Sequence, residues 1–482
     1  MSVLADVYPE PLQFIAGEWR PGGAGVFGSV RNPATDEALA EIPRADNQDL
    51  DDALSASSAA FEAWRQTPAV ARAAVLRRAA ELLRERASAL AHWTTLEQGK
   101  TLAESVMEFT LSAEAFDWYA GEGLRANGRV IPARTLGARQ LVIPQPIGPV
   151  AAFTPWNFPA ILPARKIAAA LAAGCTVVIK PSEETPASAM ALAHALADAG
   201  LPDGALNMVF GVPSEVSAHL IRSDVIRKVT FTGSTAVGRQ LAQLAAEGVK
   251  PCTLELGGHA PVLIFDDADL DRAVATCVQG KTRNAGQVCT SPTRFIVQEG
   301  IHDAFVRQFG EALDAIVVGP GLDASSEMGA LANRRRVDAM ETLVADAIDR
   351  GGRLVAGGRK ARDKGNFWRP SLVAEVPGAA LAMNAEPFGP LALVTRFRTL
   401  EDGLAEANRM PYGLAAYAFT RSAATAHAVA DRLQAGGIGI NSFAVSHIEA
   451  PFGGIEDSGY GTEGGHEGLE AFMHPKYVHH AT

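Results

Sequence analysis

From Val150 onward, short apolar runs alternate with amphipathic stretches along the chain. The apolar runs are VAAF, CTVVIK, LNMVF and RKVTFTG, and helices are predicted from Ala160, Pro186, Pro213 and Ser234. Strands that alternate with helices in this way predict an α/β fold with a parallel, doubly wound sheet. The carboxyl ends of such strands are where a nucleotide binds.

The rest of the chain divides around this region. Residues 49–121 carry helical periodicity in three segments, and a second alternating region is predicted to begin near Cys252 and to continue to about Asn441. We therefore predict a Rossmann-like cofactor domain over 1–127 and 145–251 and an α/β catalytic domain over 252–441. The appendages 128–144 and 460–482 predict a small β oligomerisation element, because exposed edge strands need covering.

Composition excludes several classes of protein. The 482 residues are 48% apolar, and a formal charge of −11 is spread along the chain without a basic block, so nucleic acid is not an expected partner. The run from Ile167 to Ile179 is too short to span a bilayer, and the N-terminal segment resembles no signal peptide, so no membrane association is expected. A cytoplasmic location is the expectation.

Four cysteines are scattered through the sequence without metal-ligand spacing, so neither a disulfide framework nor a zinc site is predicted. One of them, Cys289, lies in KTRNAGQVCTSP behind small residues and shortly after Arg283. A reactive thiol and a small buried filler are both open interpretations of that cysteine.

A phosphate site is predicted in FTGSTAVG, where Gly233 and Ser234 link a strand end to a helix start. A plain helix cap at Ser234 is the alternative.

Lys180 and Glu183, after the strand CTVVIK, could both reach ribose hydroxyls, or could belong to a surface loop. Glu183 disfavours a 2′-phosphate whereas Lys180 and Ser182 favour one, so NAD and NADP both stay open.

Two further residues have the chemistry of a reacting centre. Glu255, in LELGG, is a carboxylate on an apolar strand, where burial would raise its pKa towards that of a general base. Asn157, in TPWNFP, offers an amide donor for an oxyanion. The alternative for Glu255 is a solvent-facing strand end, and the alternative for Asn157 is a simple turn.

The ordered motifs TPWNFP, KPSEETP, FTGSTAVG, LELGG, GQVC, EPFGP and PFGG make the chain resemble the aldehyde dehydrogenase superfamily over nearly its whole length. The resemblance implies that Cys289 is the nucleophile and that Asn157 and the Cys289 N–H stabilise the oxyanion. It implies that Glu255 activates the water that hydrolyses the thioester, and that Lys166 and Glu463 relay its proton.

The resemblance also implies NAD or NADP as cofactor, no metal, and a homodimer or homotetramer. The residues placed on the cofactor are Thr154, Trp156, Lys180, Ser182, Glu183, Gly233, Ser234, Glu386 and Phe388. Within this set, Glu386 is expected to hold the nicotinamide ribose and Phe388 to lie beside the ring.

The form RNAGQxC resembles the branch that oxidises succinate semialdehyde or 2-oxoglutarate semialdehyde. Arg283, Arg165 and Ser446 then match groups that bind the far carboxylate of the substrate. Ser291 stands where many succinate-semialdehyde enzymes carry a second cysteine, so a disulfide switch is excluded there. Glu456 and His447 depart from the family pattern, and no role is assigned to them.

The expected activity is therefore NAD(P)-dependent oxidation of a short carboxylated aldehyde, a small molecule, to a diacid. A dehydrogenase for aromatic or longer aliphatic aldehydes is the alternative within the same chemistry. A CoA-acylating enzyme is disfavoured because Glu255 would hydrolyse the thioester, and a noncatalytic protein is disfavoured by the intact set Cys289, Glu255 and Asn157.

Overall fold

A computed structural model describes residues 8–481 of the chain. Its strands are β1 Gln13–Ile15, β2 Glu18–Arg20, β3 Val26–Arg31, β4 Ala38–Pro43, β5 Arg129–Ile131, β6 Ala138–Pro146, β7 Val150–Phe153, β8 Val177–Lys180, β9 Leu206–Met208, β10 Lys228–Thr232, β11 Cys252–Glu255, β12 Ala260–Ile264, β13 Pro292–Gln298, β14 Arg353–Ala356, β15 Ser371–Ala374, β16 Leu391–Phe397, β17 Tyr412–Gly413, β18 Ala415–Phe419, β19 Gly437–Ile440, β20 Ile455–Glu456, β21 Gly459–Tyr460 and β22 Met473–Ala481.

The helices are α1 Asn47–Trp64, α2 Ala69–Gln98, α3 Leu102–Gly123, α4 Ile161–Ala173, α5 Pro186–Asp198, α6 Pro213–Arg222, α7 Thr235–Glu247, α8 Leu270–Thr282, α9 His302–Asp314, α10 Arg334–Asp349, α11 Leu381–Asn384, α12 Leu400–Ala407, α13 Ala423–Arg432 and α14 Gly465–Glu470. Each helix predicted from Ala160 to Ser234 begins within one residue of its predicted start. Among the described residues, no helix combines the length and apolarity that crossing a bilayer requires.

The first sheet has the order β2-β1-β9-β8-β7-β10-β11-β21, and its five central strands are parallel. The chain proceeds outward from β7 through β8 to β9, then crosses back to β10 beside β7. The predicted doubly wound sheet is thus confirmed. Its switch point lies between the carboxyl ends of β7 and β10, and crevices of that kind bind nucleotides.

The second sheet has the order β14-β15-β16-β13-β12-β18-β19 and is parallel except for β14. It begins at Ala260, later than predicted, because Cys252–Glu255 pairs with β10 in the first sheet. The run LELGGHAPVLIF reads as one apolar stretch, but Gly257 and Gly258 carry the chain from one sheet to the other. Glu255 therefore lies at the junction between the two sheets.

A third, antiparallel sheet joins β5, β6 and β22, with Met473 opposite Pro146 and Ala481 opposite Ala138. The segments predicted as the oligomerisation element therefore pair with each other. Within residues 8–481, the outer edge of β22 pairs with no further strand. Val130 and Tyr477 on this sheet are exposed.

Helices α2, α3, α4 and α5 cover one face of the first sheet with a continuous apolar core that includes Phe109, Phe116 and Leu171. The link between α2 and α3 turns at Gly99, whose φ is 95°, and α3 starts with a capping box between Thr101 and Glu104. This layer supplies side chains from α3 and α4 to the site described next.

Candidate active site

Cys289 follows a strained turn that closes α8. Asn284 and Ala285 have φ values of 48° and 51°, a left-handed conformation that costs non-glycine residues about 1–3 kcal/mol each. Gly286 continues the turn with φ 70°, and a Cβ there would lie 2.2 Å from the Gly389 carbonyl oxygen. The turn therefore needs glycine at this position, and it presents the partly exposed Cys289 just before β13.

Hydrogen bonds from neighbouring elements hold the turn. The Asn284 N–H donates to Glu104 Oε1 at 2.6 Å, and its Nδ2 donates to the Asn157 carbonyl at 2.8 Å. Gln287 Oε1 accepts from Ala332 N at 2.9 Å. Strained backbone persists where its surroundings over-determine it, as these bonds do here.

Asn157 lies beside the cysteine segment. Its Nδ2 donates one hydrogen to the Gln287 carbonyl at 3.1 Å, two residues before Cys289, and the side chain is 3% exposed. An amide nitrogen has two hydrogens, so one stays available for an oxygen atom at the sulfur.

Glu255 is buried at the end of β11, with 3% of its surface exposed. Among residues 8–481 neither of its carboxylate oxygens has a hydrogen-bond partner. Burial, and then the charge of Glu463, raise the pKa of Glu255 well above its usual value, although Lys166 and Arg165 oppose the shift. The alternative of a solvent-facing carboxylate is wrong, and the raised pKa suits a proton acceptor.

Lys166 and Glu463 form a buried ion pair close to Glu255. The Lys166 ammonium also donates to Thr230 Oγ1 at 3.2 Å, and its side chain is buried in α4. The two residues that the sequence matched to a proton relay are thus in direct contact.

The surroundings of the Cys289 thiol disfavour its ionisation. Burial, and then the carboxylates of Glu386 and Glu255, raise the pKa of Cys289 to about 12, while the Arg165 charge works in the opposite direction. Attack by this sulfur therefore needs either a base that removes its proton or a positive charge brought beside it.

The switch point between β7 and β10 has unsatisfied polar groups. The buried hydroxyls of Thr154 and Thr232 have no hydrogen-bond partner among the described residues. Gly233 follows β10, and the exposed Ser234 caps α7 by accepting from Val237 N at 3.4 Å. Free hydroxyls beside an exposed helix N-terminus fit a bound dinucleotide, although Ser234 also fulfils the simple capping alternative.

Lys180 ends β8, and its ammonium pairs with Glu183 Oε2 at 2.7 Å. Ser182 is bonded locally, since its hydroxyl accepts from Glu184 N at 3.2 Å. The charges of Lys180 and Glu183 largely cancel each other at this point. A ribose diol could replace part of this contact, because the ammonium donates and the carboxylate accepts.

Glu386 lies against the chain crossover between the two sheets. Its Oε1 accepts from Gly258 N at 3.1 Å, and burial raises its pKa to about 7. Phe388 nearby meets Trp156 edge to face, with ring centres 5.5 Å apart. Trp156 and Phe388, which come from different halves of the chain, are therefore in contact.

Arg165 and Arg283 lie near the Cys289 segment. Arg283 is exposed and its guanidinium lies 5.3 Å from the Phe158 ring, at the edge of a cavity of about 630 Å³. Arg165 is 8% exposed, lies 5.5 Å from the Phe452 ring and donates to the Ser446 carbonyl. Within residues 8–481 neither arginine forms an ion pair with a carboxylate.

Comparison with known proteins identifies this arrangement. The profile of the Aldehyde dehydrogenase family matches residues 19–478. The chain belongs to the aldehyde dehydrogenase family. It is 50% identical to 4-(hydroxymethyl)benzenesulfonate dehydrogenase TsaD1 of Comamonas testosteroni over 98% of this chain and 99% of that protein. It is 42% identical to succinate-semialdehyde dehydrogenase [NADP(+)] GabD of Escherichia coli K12 over 96% of each chain.

A crystal structure of succinate-semialdehyde dehydrogenase from Burkholderia pseudomallei superimposes with a TM-score of 0.97 at 39% identity, over 100% of this chain and 99% of that one. The α/β aldehyde dehydrogenase fold is therefore confirmed, and with it an NAD(P)-dependent oxidoreductase that acts on small-molecule aldehydes.

Two buried residues of this aldehyde dehydrogenase site were missed by sequence reasoning. Lys100 donates to the Asn157 carbonyl at 2.8 Å and to Glu108 Oε2 at 2.6 Å. The other oxygen of Glu108 accepts from Ala160 N at 2.7 Å and Ile161 N at 3.2 Å. The pair thus fixes the loop that carries Asn157. Lys100 lies in the polar link between α2 and α3 and Glu108 lies in α3, and no local pattern joins either residue to the distant Asn157 loop.

Proposed function

We propose that this aldehyde dehydrogenase oxidises an aldehyde that carries an anionic group at its far end. The observation that carries the proposal is the placement of Arg165 and Arg283 near Cys289 without carboxylate partners. Guanidinium groups left without a protein carboxylate are suited to bind a carboxylate or sulfonate through paired hydrogen bonds.

In the proposed mechanism the Cys289 sulfur attacks the aldehyde carbon. The free hydrogen of Asn157 Nδ2 and the Cys289 N–H stabilise the oxyanion that forms, and Lys100 holds the Asn157 loop in place. Glu255 lies close enough to the thiol to raise its pKa, so it is placed to accept the proton that the sulfur must lose.

After oxidation, the acyl group remains on Cys289 as a thioester. Glu255 removes a proton from the hydrolytic water, the water oxygen bonds to the carbonyl carbon, and the carbon–sulfur bond breaks. The raised pKa of Glu255 makes it a better proton acceptor than an exposed carboxylate. This base also favours free acid over acyl-CoA as product.

When bound, NAD or NADP supplies a positively charged nicotinamide ring that accepts the hydride. The cofactor would be held from the first sheet by Thr154, Trp156, Gly233 and Ser234. Its adenosine ribose would contact Lys180, Ser182 and Glu183, and its nicotinamide end would contact Glu386 and Phe388. The unpartnered hydroxyl of Thr154 is the structural support for this assignment.

The first candidate substrate is a short semialdehyde with a terminal carboxylate. The second is an aromatic aldehyde with a sulfonate, which is favoured by the aromatic rings of Phe158 and Phe443 in the cavity wall and by the name of the relative TsaD1. Both carry the anion that Arg165 and Arg283 are suited to bind. The Ser446 hydroxyl would complete the anion site, although the structure shows only its carbonyl in contact with Arg165.

Replacement of Arg283 by methionine tests the anion site. We expect kcat/KM for succinate semialdehyde to fall about 10- to 100-fold, since a hydrogen bond to a charged group is worth about 1.5–3 kcal/mol. The effect should lie mainly in KM, and butanal, a neutral aldehyde, should change by less than about twofold. Steady-state rates with both aldehydes provide the measurement.

Arg307→Met is the matched control, because Arg307 is an exposed arginine on α9 that pairs with Glu311 away from the cavity. Arg283→Lys should retain part of the preference, since the charge remains but the paired geometry is lost. An equal loss with butanal would contradict the anion site.

The choice between NAD and NADP is expected to depend on Glu183. Glu183→Gln removes a negative charge and releases the Lys180 ammonium from its partner at 2.7 Å. A 2′-phosphate then meets a free cation, so kcat/KM for NADP relative to NAD should rise about tenfold. Titration of both cofactors at saturating aldehyde measures the ratio. An unchanged ratio would place the adenosine ribose elsewhere.

 The outer edge of β22 is free of strand partners among the described residues, and Tyr477 on β22 and Val130 on β5 expose apolar surface on this sheet. We propose that 128–144 and 460–482 assemble the enzyme into a homodimer or homotetramer. The proposed cofactor domain covers 1–127 and 145–251 and the proposed catalytic domain covers 252–441, except that Cys252–Glu255 joins the sheet of the cofactor domain.

A further inference from the structure

Gly280, in the last turn of α8, is a glycine that the backbone conformation does not require. It lies within regular helix, and its φ is outside the left-handed region that glycine adopts more readily than other residues. Glycine inside a helix is destabilising relative to alanine. The reason for glycine here is therefore the space that a side chain would occupy.

That space is filled by the ring of Phe443. A Cβ on Gly280 would lie 2.5 Å from Phe443 Cδ2 and 2.8 Å from its Cε2, closer than carbon atoms approach without one of them moving. The same Cβ would lie 3.2 Å from Pro292 Cγ. Gly280 thus lets the Phe443 ring lie directly against the backbone of α8.

Two further aromatic rings hold Phe443 in this position. Its ring meets Tyr417 edge to face with ring centres 4.5 Å apart, and it meets Phe419 at 5.6 Å. Tyr417 is fully buried, and its hydroxyl donates to the Thr290 carbonyl at 2.8 Å. The ring is therefore held by α8 and by its two aromatic neighbours, and it lines the cavity beside Arg283.

This cavity reaches the segment of the nucleophile. Its walls include Val288 and Thr290, the residues on either side of Cys289, and also Phe158, whose ring lies next to the Arg283 guanidinium. Its volume of about 630 Å³ is within the range of ligand pockets, about 300–1,000 Å³. At about 30 Å³ per non-hydrogen atom, the share of a water molecule in the liquid, a four-carbon semialdehyde fills only about a third of it.

We propose that Gly280 determines the substrate class by seating Phe443 in the cavity wall, so that the enzyme selects an anionic aldehyde built on an aromatic ring. The proposal rests on the proposed function for the anion and adds the group between the two ends of the substrate. With the aldehyde at Cys289 and the anion at Arg283, the substrate ring would pack against Phe443. Aromatic pairs attract each other in edge-to-face or offset geometry, which a short aliphatic chain cannot reproduce.

The substitution Gly280→Ala would displace the Phe443 ring. The end of α8 is held in place, because the next residue, Lys281, is fully buried and donates to the Leu391 carbonyl at 3.2 Å. Tyr417 blocks the ring on another side, so the ring moves towards the cavity and narrows it. A difference of one methylene in an apolar pocket changes discrimination between substrates about 10- to 200-fold.

Oxidation rates for 4-formylbenzenesulfonate, benzaldehyde, succinate semialdehyde and butanal test the proposal. For the unmodified enzyme we expect kcat/KM for 4-formylbenzenesulfonate to exceed that for succinate semialdehyde about tenfold or more. Gly280→Ala should lower kcat/KM for the two aromatic aldehydes about 10- to 100-fold, and should leave the two aliphatic aldehydes within about threefold.

The variant Phe443→Ala separates the effect of the ring from that of the glycine. Alone, it should lower kcat/KM for the aromatic aldehydes about tenfold, because the substrate ring loses its partner. The double variant Gly280→Ala/Phe443→Ala should be no worse than Phe443→Ala, because the added methyl group then has room. Phe443→Ala alone decides the question if Gly280→Ala does not fold.

Gly403→Ala is the matched control. Gly403 lies in α12, and a Cβ there would lie 3.0 Å from Phe397 Cδ2 and 3.1 Å from Leu263 Cδ2, so it also presses on a phenyl ring. These residues belong to an apolar core that does not line the cavity. The control should change kcat/KM by less than about twofold for all four aldehydes, as expected for a core that tolerates a small shift.

Equal losses for all four aldehydes in Gly280→Ala would overturn the proposal, because they would report a distorted Cys289 turn. It would also be overturned by unchanged aromatic rates in Phe443→Ala, or by faster oxidation of succinate semialdehyde than of 4-formylbenzenesulfonate in the unmodified enzyme. Equal rates for the anionic and neutral member of each pair, with the Gly280→Ala effect on aromatic aldehydes intact, would instead overturn the proposed anion site.

Discussion

Replacement of Cys289 by alanine is expected to lower kcat for aldehyde oxidation by about 10⁴-fold or more, because no other group can form the thiohemiacetal. Without sulfur attack, the aldehyde carbon does not become the tetrahedral thiohemiacetal carbon from which hydride leaves readily. Cofactor affinity should change by less than about twofold, since Cys289 is not among the predicted cofactor contacts. Steady-state rates and a fluorescence titration of bound cofactor supply the two readouts.

Cys252→Ala is the matched control for this experiment. Cys252 is also only partly buried, yet it lies at the start of β11 away from Asn157 and Glu255. Its replacement should leave kcat within about twofold. Retention of more than about a hundredth of the activity in Cys289→Ala would contradict the assignment of the nucleophile.

The variant Glu255→Gln is expected to stop turnover after one oxidation. Glutamine keeps the shape of the side chain but cannot accept the proton of the hydrolytic water, so hydrolysis should slow about 10²- to 10⁴-fold. One equivalent of reduced cofactor should form rapidly, followed by a much slower steady state, and the acyl group should be found on Cys289 by mass spectrometry.

The pH dependence follows from the raised pKa of Glu255. A general base works only when deprotonated, so in the unmodified enzyme hydrolysis should be slow below that pKa and should rise as pH passes through it. Glu255→Gln should lose this rise. Glu97→Gln, at a second buried glutamate that accepts from Ser188 N at 2.9 Å and forms no hydrogen bond with Glu255, is the control. Steady-state turnover without acyl-enzyme in Glu255→Gln would contradict the account.

Periodicity was enough to predict the four central strands β7 to β10 of the first sheet. The strands from β7 to β10 follow the sequence pattern because each is short, buried on both faces and rich in apolar residues, and a helix follows each of them. The position of Cys252–Glu255 could not be predicted in this way. Its apolar pattern is the same in either sheet, and only the crossover at Gly257 and Gly258 decides which sheet it joins.

The sequence could likewise predict only part of the candidate site. Short motifs drew attention to Cys289, Asn157 and Glu255, and the structure brings their segments together. The burial of Glu255 and the support of the Asn157 loop by Lys100 and Glu108 depend on contacts between distant segments, which no local pattern contains. The same holds for the missing acidic partners of Arg165 and Arg283, since pairing is a property of the folded chain.

The most direct test of the central claim is a comparison of initial rates on anionic aldehydes and their neutral counterparts. Succinate semialdehyde would be compared with butanal, and 4-formylbenzenesulfonate with benzaldehyde, each with NAD and with NADP. We predict that kcat/KM for at least one anionic aldehyde exceeds that of its neutral partner by about 10- to 100-fold, the worth of one or two charged hydrogen bonds. Equal rates, or faster oxidation of the neutral aldehydes, would contradict an anion site at Arg165 and Arg283.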